Sequence, residues 1–134
     1  MTHSIQTMGD ASEIINDLDL VATIGLLSRE FEKDPIRHAR MEPWIRGWLE
    51  QSSNYAPGTI DLELEDIAAS AEDRTALVDL LDALEAELAR LGPVVPGPLL
   101  DDMKLSAGMV FGDYPVEYMV DVVSRVRRLL RLSP

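Results

Sequence analysis

Asp79, Asp82, Glu85 and Glu87 fall in the run LVDLLDALEAELARL, residues 77–91, where the only basic residue is Arg90. Carboxylates this close in sequence could pass protons between paired acids, ligate a hard cation, or draw in a basic partner. Proton transfer needs carboxyls that face each other, and a pair such as Asp101 and Asp102 does not, because adjacent helical residues diverge. Cation binding has no recognisable frame: the chain has no HExxH, EF-hand loop or Glu-x-x-His spacing, and His3 and His38 are its only imidazoles. Cysteine is absent, and so are a GxSxG elbow and a glycine loop for phosphate or dinucleotide. No catalytic residue, metal or cofactor is therefore assigned.

Attraction is the reading left. Asp61, Glu63, Glu65 and Asp66 lie upstream, with Glu72 and Asp73, so residues 61–102 hold twelve acids against two bases. Of the net charge of −12, that segment carries −10, residues 1–60 carry −4, and residues 103–134 carry +2. Such a field opposes nucleic acid and anionic membrane and favours a basic protein partner. The candidate electrostatic contacts are Asp61, Glu63, Glu65, Asp66, Asp79, Asp82, Glu85 and Glu87.

The elements that must hold these acids are helical. At 100° per residue, Leu77, Leu80, Leu81, Leu84, Leu88 and Leu91 share one face of 77–91 and the acids take the other. Like-charge neighbours such as Asp79 with Asp82 cost roughly 0.2 to 0.5 kcal/mol, whereas each buried leucine stabilises by about 1.5 to 3 kcal/mol. The helix can thus carry its acids as a solvated face, although that leaves their uniform sign unexplained. Ser70 caps it and Gly92 stops it.

Asp10 with Glu13 has capping-box spacing, and the apolar pattern from Ala11 to about Lys33 predicts a central helix, apolar nearly all round. Asp34 and Pro35 end it. Pro43 either kinks the next helix or opens a new one at Glu42. Ile60, Leu62 and Leu64 alternate with acids as a strand would, while Leu64, Ile67 and Ala68 fit a helix, and the helix is preferred for want of a partner strand. GPVVPGP, 92–98, is expected to run extended over the surface, with a short helix at 99–106 and a last one at 114–132. The stripe of that last helix is Val116, Met119, Val120, Val123, Val126 and Leu130, and Asp113 is its cap. An all-α single domain over 1–134 follows, a compact bundle of about five or six helices with residues 1–9 as a loose N-terminus.

Candidate apolar contacts are Trp48, Val110, Phe111 and Tyr114. Trp44 and Trp48, four apart in PWIRGW, make one wall of a core or, if exposed, an interface anchor. GMVFGDYP, 108–115, sets three apolar residues between two glycines, to fold onto the core or to meet a partner. Arg125, Arg127, Arg128 and Arg131 suit the end of their helix dipole and could pack against the acidic segment; no aromatics interleave them as nucleic-acid binding favours.

An apolar fraction of 46% with 27% charged residues is that of a folded chain. MTHSIQTMGD has no Lys or Arg before its first acid, so no leader is expected, and a cytoplasmic protein is. In size, charge and missing catalytic motifs the chain is similar to the small acidic immunity proteins that bacteria keep in the cytoplasm against nuclease-type toxins. That resemblance implies an inhibitor of a basic toxin or nuclease. A structural homo-oligomer and a carboxylate-dependent enzyme are the alternatives.

Overall fold

The computed structural model describes residues 2–54, 56–102 and 112–132. The chain is mostly helical but not purely so, because two small two-stranded sheets accompany the helices. The stretch expected to be loose supplies β1 (His3–Met8), and the expected start of the central helix is instead β2 (Ala11–Asn16), which pairs antiparallel with it in a hairpin. Gly9, at φ 59°, opens the two-residue Gly9–Asp10 turn, and glycine at that first position is what a type II′ hairpin turn asks for. Asp10 therefore sits in a turn rather than at a helix cap. The cap is Asn16, whose side chain accepts from the Asp19 amide at 3.1 Å, and α1 (Asp17–Lys33) starts six residues later than the apolar pattern predicts.

Every residue of α1 from Leu20 to Leu27 is buried, which confirms a central helix, with α2, α4 and α6 packed around it. A 3-10 turn at Ala39–Met41 leads into α2 (Glu42–Ser53), so Pro43 opens a new helix rather than kinking an old one.

Residues 60–68 satisfy both readings in part. Ile60 and Leu62 are buried from an extended stretch, Glu63 turns the chain at φ 58°, and α3 (Leu64–Ala68) follows. Among the described residues the extended stretch has no partner strand. Its backbone is held by two buried side chains of β1: Gln6 donates to the Ile60 carbonyl and accepts from the Leu62 amide, both at 2.8 Å, and Ser4 Oγ accepts from the Ile60 amide at 3.1 Å. Ser4 also donates to the buried Asp17, which takes the Gly58 amide at 2.9 Å.

Ser70 caps α4 (Ala71–Leu91) through the Asp73 amide, and the predicted leucines are buried, Leu91 only partly. Gly92 ends the helix at φ 88°. The Pro/Gly-rich connection is not wholly superficial. Its Val94–Val95 forms β3, paired with β4 (Tyr114–Pro115), and Val95 is buried. The next helix, α5 (Gly97–Asp102), begins two residues ahead of the expected 99, and the expected remainder, 103–106, lies outside the described residues. Asp113 accepts from the Gly97 amide at 2.9 Å, so it serves α5 rather than capping α6 (Val116–Arg131). The stripe of α6 is buried except Val120, and Arg74 reaches from α4 to the Leu130 carbonyl at its C-terminal end. Among the described residues, no helix is long and apolar enough to cross a membrane.

Candidate partner-binding surface

The acids of α4 lack cations in sequence but not in space. Asp79 receives Arg37 on both oxygens, at 2.7 and 2.9 Å. Glu85 and Asp82 share Arg127 of α6, whose Nε lies 2.8 Å from Glu85, and Asp73 takes Arg40 at 2.9 Å. Glu87 is buried among Lys33 at 2.8 Å, Arg29 at 3.5 Å and Arg90 one turn on. Four of the eight candidate contacts, Asp79, Asp82, Glu85 and Glu87, are thus matched inside the fold, and α4 is not an open negative face. The exposed members of this set each contribute about 0 to 1 kcal/mol. They fix how α4 sits between the loop after α1 and α6 more than they stabilise it.

Glu87 is the exception because its carboxylate is buried. The Arg90 hydrogen bond outweighs the opposing effect of burial and, with Lys33, lowers that carboxyl from 4.5 to about 2. Arg37 likewise holds Asp79 below the usual carboxylate range. A lowered folded-state value means stability that is complete above pH 4.5 and is lost as pH falls from there through about 2. Glu87→Gln should therefore cost on the order of 2 kcal/mol at pH 6, and the difference from the parent should shrink steadily below pH 4.5. Urea unfolding at pH 6 and pH 2.5 measures this; a difference that stays constant between them would contradict it.

The other four acids stand apart. Among the described residues Asp61, Glu63, Glu65 and Asp66 form no ion pair, and their carboxylates meet only backbone amides: Asp61 accepts from the Glu63 amide at 2.7 Å, and Glu65 from the distant Gly9 amide at 2.8 Å. Asp61, Glu65 and Asp66 are exposed. Of the eight candidate acids, those left without a cation thus lie on the 61–66 segment, against the hairpin turn, and those on the leucine helix are matched.

Trp48 takes the core-wall alternative and is buried. It is 1% exposed, donates its indole N–H to the Leu62 carbonyl at 3.0 Å, and with Leu62, Leu64, Leu77 and Leu81 encloses a void of about 10 Å³. Tyr114 is half-buried, donates to Asp19 and meets Tyr118 edge to face at 5.9 Å between centroids. Burial first, then Asp19, raises its phenol far above the ordinary value. Val110 and Phe111 lie outside the described residues. His38 is buried 3.5 Å from Asp79 rather than paired with Glu42, which takes Arg46.

One apolar feature escaped the sequence reading. Ile5 and Ile14 face each other across the hairpin on its outer side, 58% and 59% exposed. Among the described residues no group of three or more His, Asp or Glu gathers as a metal site would. Comparison with models of known families, with curated proteins and with solved structures returns no match.

Proposed function

We propose that this chain is a binding domain for a basic protein, in the manner of an immunity-type inhibitor of a basic toxin or nuclease, and that the 61–66 segment receives the partner. One observation carries the reading: the fold supplies cations, from as far as 54 positions away, to the acids of α4, and supplies none to Asp61, Glu63, Glu65 and Asp66 among the described residues. Acids already matched contribute little field at a distance. Unmatched ones steer a cationic surface during encounter, and they act on the association rate more than on the lifetime of the complex.

The test starts from capture at low salt from the source lysate, salt-step elution, and rate measurements with the basic protein recovered in stoichiometric amount. Neutralising Asp61→Asn, Glu65→Gln and Asp66→Asn together should slow association about tenfold at low ionic strength and flatten its salt dependence. Glu87→Gln removes a charge that is already matched and should leave that rate within about twofold. An unchanged rate in the triple variant would sink the proposal, and recovery of nothing but the chain itself would favour a homo-oligomer.

A further inference from the structure

The hairpin leaves one strand edge unused. Among the described residues its sheet has two strands, so β1 has β2 on one side and no strand on the other. The Asp17 amide donates to the Thr2 carbonyl at 3.0 Å, which continues the ladder and sets the even-numbered residues of β1 as its hydrogen-bonded pairs. The backbone groups of Ile5 and Thr7 therefore point outward. Among the described residues nothing outside the hairpin bonds to them.

Proteins ordinarily blunt such an edge with Lys, Pro or an inward charge, and HSIQTM has none of these. It carries instead an exposed isoleucine opposite another. What flanks it is acidic. The backbone of Ile60 and Leu62 hangs from Ser4 and Gln6, and Glu65 accepts from Gly9, so the stretch 60–65 runs along β1 with exposed Asp61 and Glu65 beside it. A second copy of this chain would bring the same acids, and a net charge of −12, against this edge. A strand bearing Lys or Arg would be drawn to it.

We infer that the free edge of β1 accepts an extended, basic segment of the partner as a third strand. Its apolar side chains would lie level with Ile5 and its cations would lie toward Asp61 and Glu65. This rests on the acidic-surface reading above and specifies how the partner docks: backbone pairing sets the register, and alternating side chains set the selectivity.

The probe is a capped nonapeptide alternating Val and Lys, titrated into isotope-labelled protein, alongside two versions N-methylated on all Val or on all Lys residues. Only alternate N–H groups of an added strand face β1, so one methylated peptide should bind about tenfold more weakly while the other stays within about twofold of the parent. The Ile5 and Thr7 amides should become protected from exchange as the probe binds. Ile5→Thr, at an exposed site that keeps a β-branched residue, should weaken binding about threefold without unfolding the domain. Equal binding by both methylated peptides would overturn strand addition and leave charge attraction intact. No binding by the unmodified peptide would also overturn it, the acidic surface then being judged by the rate measurements alone. Doubled mass with Ile5 and Thr7 already protected in the free protein would assign the edge to a second copy instead.

Discussion

Trp48→Ala is expected to lower the free energy of unfolding by about 3 to 5 kcal/mol, the range for removing a large aromatic from a core that only partly collapses. Trp48 joins α2 to the extended stretch before α3, through ring packing on Leu62 and Leu64 and through its indole hydrogen bond to the Leu62 carbonyl. Both contributions vanish together in alanine. Phenylalanine separates them, because it keeps most of the apolar contact and removes only the donor, leaving a buried carbonyl unpaired at about 1 to 2 kcal/mol. Denaturant unfolding followed by circular dichroism gives both numbers. A loss under 1 kcal/mol in the alanine variant would mean that Trp48 faces solvent and is the partner anchor that the spacing of PWIRGW also allows.

Gln6→Leu is expected to cost about 2 to 4 kcal/mol even though leucine is more apolar, because two buried backbone groups, the Ile60 carbonyl and the Leu62 amide, lose their hydrogen-bond partner together. An ordinary glutamine on a strand contributes nothing of this size. The loss should be local as well as global: the Leu62 amide should exchange sooner than amides in α1 and α4 at equal overall stability. Amide exchange by NMR checks this. Uniform exchange across the three segments would show that Gln6 does not hold the 60–62 stretch.

Gln6 also explains what the sequence hid. A strand is recognised by apolar residues on its inward face, yet the inward face of β1 is Ser4, Gln6 and Met8 and its outward face includes Ile5. The alternation is present with its polarity reversed, because the inward side chains replace a missing strand's backbone. The alternation of Ile60, Leu62 and Leu64 was real for the same reason: these residues are buried from an extended stretch whose hydrogen bonds go to side chains. By contrast, α4 was legible to the residue, since Ser70, the leucine spacing and Gly92 are all local signals.

The candidate site divides along the same line. Counting acids against bases in 77–91 correctly found the charge, but Arg37, Lys33 and Arg127 reach that helix from 42 to 54 positions away, and no window of sequence contains both partners. Asp61 and Asp66 were in the candidate set from the start, and what singled them out was the removal of the others by pairing.

The distance along the chain between β1 and its partners also sets an order of events. During synthesis the hairpin emerges long before Ile60 and Leu62, 56 positions from Ser4 and Gln6, and longer still before Arg128, which takes Glu13 from 115 positions away. Until then Ser4 and Gln6 have only water to bond, and α1 lacks the walls that α4 and α6 provide. The core therefore closes only after α6 has been released, because α1 and the hairpin both pack against it, and a shorter leading portion of the chain leaves those faces uncovered.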